Sequence, residues 1–164
     1  MTFSPQLEER FAKMLTAYPE GRKRSAVVPM LIYAQDETGA VTPELIEEVA
    51  RRCEVAPLQV DEVVGYYSML HRQPMGKYHV QVCTNISCML CGGEELLDHC
   101  KEKLGIGHKQ TTKDGIFSLE EVECIGACSW APAVQVNYDF PENLTPAKMD
   151  KVLEQYSGRL PKSP

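Results

Sequence analysis

The sequence predicts a small helical bundle followed by an α/β unit. Three observations carry this reading. In the first part, apolar residues recur at helical spacing behind Ser-Pro and Thr-Pro pairs. In the second, two alternating runs, YHVQVC and AVQVNYDF, flank a helical stretch. Six of the seven cysteines also lie in that second part, between 83 and 128. The predicted domains are 1–75 and 76–164, divided at HRQPMG (71–76), where Pro and Gly punctuate the chain.

Ser4-Pro5 places a capping hydroxyl ahead of a proline at the first helical position, and Leu7, Phe11, Met14 and Leu15 follow on one face. Pro19 and Gly21 end that helix. A second apolar helix is expected from about Ser25 to Ala34, with Asp36 to Gly39 as punctuation after it. Thr42-Pro43 repeats the cap, ahead of Leu45, Ile46, Val49 and Cys53. Pro57 opens a fourth segment, with Val60, Val63, Val64 and Tyr67 on one side. Cys53 reads as core, since free cysteine packs as a small hydrophobe.

In the second part Tyr78, Val80 and Val82 alternate as a strand, which puts His79 towards solvent. Gly92-Gly93 leads into EELLDHCKEKLGI, where Leu96, Leu97, Cys100 and Leu104 form a helical stripe. Cys100 is therefore core, and His99 points elsewhere. Asp114-Gly115 reads as a turn between two strands, and AVQVNYDF as a further strand. Thr145-Pro146 caps a last helix with Met149, Val152, Leu153 and Tyr156.

Composition narrows the function. A net charge of −6 argues against a nucleic-acid partner, and Arg22, Lys23 and Arg24 read as solvated surface. The run AVVPMLIYA is shorter than the roughly 20 residues that span a bilayer, so no direct membrane insertion is expected. MTFSPQLEERFAKML lacks the pattern of a signal peptide and carries acidic residues, so a reducing cytoplasm is the expected setting. Clustered cysteines in that setting indicate a metal or redox site. No strand–GxGxxG–helix pattern occurs, so a dinucleotide is not expected to bind this chain itself.

CTNISCMLC (83–91) and ECIGAC (123–128) hold five thiols, one more than most sites use. Four readings compete. Cys83, Cys88, Cys124 and Cys128 can hold a [2Fe-2S] cluster. Cys83, Cys88 and Cys91 have plant-type ferredoxin spacing and with one later cysteine can hold such a cluster, although that sheet-rich fold has no long helix behind its cysteine loop. Cys88, Cys91, Cys124 and Cys128 can hold structural zinc. Cys88 and Cys91 can act as a dithiol oxidoreductase at a helix N-terminus. Gly126 lets the second loop curl, so that both its thiolates can point to one centre. Trp130 beside that loop reads equally as a shield or as packing, while Glu121 and Glu123 read as exposed strand residues.

VCTNISC, GGEELL and VECIGACSWAPAVQVN together resemble the thioredoxin-like [2Fe-2S] subunit of NADH:quinone oxidoreductase, respiratory complex I. LIYAQDETG, YYSML and ENLTPAKMDKVLEQY extend the resemblance over nearly the whole chain. It implies a helical N-terminal domain followed by a thioredoxin-like [2Fe-2S] ferredoxin domain. The implied ligands are Cys83, Cys88, Cys124 and Cys128, which leaves Cys91 spare where the family usually has a non-cysteine residue. Pro132 is similar to the proline that faces a thioredoxin dithiol. The implied partners are the FMN- and NADH-binding subunit and a neighbouring iron–sulfur subunit. The implied location is the cytoplasmic side of the bacterial inner membrane, as a peripheral component. The chain would then be an electron carrier without catalytic residues of its own. The same module in an NAD-linked hydrogenase or formate dehydrogenase, or a free-standing thioredoxin-like ferredoxin, is the alternative.

Overall fold

The computed structural model describes residues 1–158, and the chain forms two compact units, Met1–Pro74 and Met75–Pro164. The first is all helix: α1 (Pro5–Thr16), α2 (Val27–Thr38), α3 (Pro43–Cys53) and α4 (Pro57–Tyr66), with a 3-10 turn at Lys23–Ala26. Both expected hydroxyl caps form. Ser4 Oγ accepts the Leu7 N–H and Thr42 Oγ1 the Leu45 N–H, each at 3.3 Å. Such caps satisfy donors that the first helical turn leaves open, and are each worth about 1 kcal/mol.

The second helix departs from expectation. It runs through Asp36, Glu37 and Thr38, and Gly39 ends it in the left-handed conformation, with φ of 80°. Those polar residues are the solvent side of a last turn, and Pro29 is tolerated because it sits in the first turn. Glu37 accepts from Ser4 N and Oγ at 2.8 and 2.6 Å. Gln35 holds the segment after α4, donating to Met69 O and accepting from His71 N.

Phe11, Met30, Leu31, Leu45, Val49 and Val60 are fully buried in this unit's core. Cys53 joins them, and burial pushes its thiol up to about 11. At the edge of the core, Arg52 ties α3 to α1. Its guanidinium grips both Glu8 oxygens, at 2.6 and 2.8 Å, and donates to Glu48 at 2.6 Å. It also lies 5.4 Å from the Phe3 and Phe11 ring centres.

In the second unit the elements are β1 (Tyr78–Cys83), α5 (Ile86–Leu90), α6 (Gly93–Leu104), β2 (Gln110–Thr111), β3 (Phe117–Val122), β4 (Val134–Val136) and α7 (Pro146–Ser157). The sheet order is β2-β3-β1-β4. β1 and β3 run parallel, with Cys83 beside Val122; β4 is antiparallel to β1, with Val134 beside Val82. The end of β1, the end of β3 and the start of β4 therefore meet at one edge of the sheet. The helices α6 and α7 cover one face. Val80, Leu119 and Val134 from the sheet pack there with Leu96, Cys100 and Met149. Burial pushes the Cys100 thiol up to about 12. His99 stays off this core and pairs with Asp150, Nε2 to Oδ1 at 2.9 Å, which joins α6 to α7.

Two expectations fail here. His79 is buried, not solvent-facing, with Nε2 3.1 Å from Glu120 Oε2, and Gln81 Nε2 donates to the same oxygen at 3.1 Å. Alternation gives a side chain's face correctly; it does not say that β1 is central and flanked by polar partners on that face. AVQVNYDF is a strand only to Val136. Asn137 takes φ of 52°, its Oδ1 accepts the His79 N–H, and Asp139 N returns to Val136 O at 3.0 Å. Asn tolerates the left-handed conformation, so the chain turns there, and Tyr138 and Phe140 are left exposed. Among the described residues no helix is long and apolar enough to cross a membrane.

Removing Arg52 leaves Glu8 without its partner across the α1–α3 seam, while Glu48 keeps Arg51. Arg52→Ala is expected to cost about 2–3 kcal/mol, read by urea unfolding followed by far-UV circular dichroism. Hydrogen bonds, from Arg51 first and then from Arg52, hold the Glu48 carboxyl at about 2 rather than 4.5. The stability it adds is complete above pH 4.5 and disappears as pH falls through about 2. Over that window the variant should therefore lose less stability than the parent.

Candidate metal centre

β1 delivers Cys83 to the edge of the sheet, where it is buried. Asn85 then caps α5, its Oδ1 accepting the Ile86 N–H at 2.8 Å. One turn of that short helix places Cys88 back against the sheet, also buried. Cys91 closes the helix, donating its N–H to Ser87 O and Cys88 O, and is exposed. Gly92, with φ of 89°, redirects the chain into α6. A Cβ on Gly93 would lie 2.8 Å from both Cys83 O and Cys88 O. Glycine is thus required for α6 to begin directly against the two cysteines.

Cys83 and Cys88 share a pocket with Ala133, walled by Ile125, Ala127 and Ala131. Burial pushes the Cys88 thiol up to about 11; the Ala133 N–H acts against this, and neighbouring Cys83 and Cys128 add to it. Both Cys83 and Cys128 are therefore close enough to Cys88 to act on it. The Cys83 N–H is itself held by Ala133 O at 3.3 Å.

The second loop leaves the sheet from β3. Gly126 takes φ of 83°, which lets the loop curl back, and its N–H donates to Cys124 Sγ at 3.3 Å. Cys128 opens a 3-10 turn ending at Trp130, and the Ala131–Pro132 peptide is cis. Asn143 N and Leu144 N tie this turn down by donating to Trp130 O and Pro132 O at 2.8 and 3.1 Å. Cys124 and Cys128 are both exposed. The site thus has an inner, buried pair of thiols and an outer, exposed pair from the other loop. Glu121 and Glu123 are exposed, as expected; Glu121 accepts from Thr84 Oγ1 at 2.9 Å.

Among the described residues no three His, Cys, Asp or Glu side chains converge on a single point as the ligands of one ion do. A binuclear cluster divides its four thiolates into two pairs, one per iron, and the inner and outer pairs match that division. The backbone supports it: the Gly126 N–H is aimed at Cys124, and the Ala133 N–H at Cys88. Donors so placed stabilise negative charge on cluster sulfur. The donor set therefore fits a [2Fe-2S] group. The dithiol reading fits poorly. A nucleophilic cysteine needs a lowered pKa, while Cys88 is buried and raised. Cys91, which the zinc and dithiol readings both need, stands exposed at the far end of α5. Residue spacing missed the contributions of Ala133 and Gly93. The Gly92-Gly93 pair was visible, but only as the entrance to a helix.

Comparison with known proteins gives the family and the kind of cofactor. The family model described as thioredoxin-like [2Fe-2S] ferredoxin matches residues 11–157. An NADH-quinone oxidoreductase subunit of Rickettsia typhi is 46% identical over 148 residues, covering 90% of this chain and 87% of that protein. NADH-quinone oxidoreductase subunit 2 of Thermus thermophilus is 45% identical over 148 residues, covering 90% and 80%. Among solved structures, an NAD+-reducing [NiFe]-hydrogenase in its air-oxidized state superposes with a TM-score of 0.71 at 18% identity. That match covers 85% of this chain and 24% of the hydrogenase chain, and shows a shared fold. The chain belongs to the thioredoxin-like [2Fe-2S] ferredoxin family, and its cofactor is one [2Fe-2S] cluster.

Proposed function

We propose that this chain is the electron-transfer subunit of an NADH-quinone oxidoreductase, exchanging single electrons with the FMN of an NADH-binding partner subunit. The observation that carries the reading is the meeting of both cysteine loops at one sheet edge, through the parallel β1–β3 pair. The names of the relatives, similar over most of their length, support the choice of complex.

Cys83 and Cys88 would hold one iron, and Cys124 and Cys128 the other. When bound, the cluster accepts and releases one electron. The residues around it set the direction of exchange. Cys83 and Cys88 seal the inner side within the alanine-lined pocket. The exposed Cys124 and Cys128 make the outer side the route to a partner. Ile86, Met89 and Leu90 on α5, the helix that carries Cys88, and Trp130, in the turn that Cys128 opens, expose apolar surface. A partner seated on them would exclude water from the outer thiolates. Apolar and aromatic surface of this kind is enriched at the centres of protein interfaces. FMN and NADH are assigned to that partner, and a neighbouring iron–sulfur subunit completes the surroundings. The chain itself would work at the cytoplasmic face of the membrane, as a peripheral component.

A Cys→Ser panel in anaerobically purified protein tests the ligand set. Substitution at 83, 88, 124 or 128 should abolish or shift the visible absorption and the EPR signal of the reduced protein. Cys91→Ser should keep both. Loss in Cys91→Ser, with retention in Cys128→Ser, would overturn the assignment. Gly93→Ala tests the support. Its Cβ has no room beside Cys83 O and Cys88 O, and overpacking of this kind costs about 1–3 kcal/mol. Iron and sulfide per chain should therefore fall in that variant, while the helical content of residues 1–74 persists.

A further inference from the structure

The first unit carries a second candidate site, with no cysteine in its lining. Gln59, Val63 and Tyr67 recur every four residues along α4 and just past its end, so they form one row. Opposite them stand Arg22, Arg24 and Val28, and between the two sides lies a cleft of about 510 Å³. That volume is within the range of sites that take ligands, roughly 300–1,000 Å³. Sequence periodicity groups Val63 and Tyr67 with the core residues Val60 and Val64. In the structure Val63 is half-buried and Tyr67 is 39% exposed, and both line the cleft. Val28 and Val55 extend the apolar wall.

Charge at the mouth runs against the chain as a whole, whose net charge is −6. Lys23 is engaged by Glu54 at 2.5 Å. Among the described residues neither Arg22 nor Arg24 has an ion-pair partner. Two large apolar side chains also stand exposed beyond the cleft. Leu58 and Tyr66, on the adjacent row of α4, are 68% and 84% exposed, with Glu62 between them. A small molecule would fill the cleft and leave that row uncovered, whereas a polypeptide covers both. From Gln59 to Tyr67 the row is about 12 Å long at 1.5 Å per residue, enough for two turns of a docked helix.

We propose that this cleft docks an acidic segment of a partner chain. An apolar side chain of the segment seats against Val28, Val63 and Tyr67, and flanking carboxylates pair with Arg22 and Arg24. The proposal rests on the reading of the chain as a subunit of a larger complex.

A photo-crosslinking amino acid at position 67, in the complex assembled in its native host, tests it. The expected product joins position 67 to one partner subunit, at a segment with an apolar residue between Asp or Glu residues. Arg22→Glu with Arg24→Glu should weaken retention of that subunit by about tenfold, the upper range for two rim pairs, and leave the visible absorption unchanged. Arg22→Lys with Arg24→Lys should keep most of the binding. Four results would overturn the proposal: no crosslink at 67, a crosslinked segment without acidic residues, a product with only a second copy of this chain or a small molecule, or undiminished retention in the Glu pair. A chain without iron would refute the electron-transfer reading and leave the crosslink result standing. A missing crosslink in an iron-loaded complex would refute only the docking groove.

Discussion

The site depends on the parallel pairing of β1 with β3. In parallel strands the carboxyl ends lie side by side, so the loops that leave Cys83 and Val122 start from neighbouring points. Antiparallel pairing would send them to opposite edges of the sheet. β4 returns alongside β1 in the other sense, and so brings Ala133 to the same edge. Ligands in open α/β sheets commonly sit beyond the carboxyl ends of the strands, and this arrangement follows that rule. The helices α6 and α7 contribute by burying one face of the sheet, which fixes the strands that aim the loops.

Each half of the site is then built from a different kind of constraint. The inner half is steric. Cys83 and Cys88 are packed among alanines, and α6 starts so close that residue 93 can carry no side chain. The outer half is conformational. Gly126 turns the second loop and offers its N–H to Cys124, while the segment after Cys128 is held by hydrogen bonds from Asn143 and Leu144. A buried inner pair and an exposed outer pair make the assembly one-sided. Ile86, Met89 and Leu90 of α5, and Trp130 in the turn that Cys128 opens, are exposed.

Much of this architecture is legible in local sequence, because local chemistry determines it. The caps at Ser4, Thr42 and Thr145 form as their hydroxyls require, and their helices start where the following prolines stand. Cys53 and Cys100 are core because helical spacing places them there. What sequence misread depends on neighbours distant in the chain. His79 is buried because its strand is central and Glu120 comes alongside on β3. Asn137 ends β4 early through a turn that binds the backbone of β1. Tyr67 follows the core period of α4, yet is exposed and lines a cleft whose other wall includes the turn before α2. Of the site itself, cysteine spacing shows the candidate thiols. The N–H of Ala133 and the space required at Gly93 exist only once the two loops meet.

The central claim is that two loops close one binuclear centre, with two thiolates each. Iron anomalous diffraction from crystals of the anaerobically purified, cluster-loaded protein tests it most directly. The account predicts two iron peaks, the inner one bonded to the sulfurs of Cys83 and Cys88 and the outer one to those of Cys124 and Cys128. Cys91 should be bonded to neither. A single tetrahedral metal, or an iron bonded to Cys91, would contradict it.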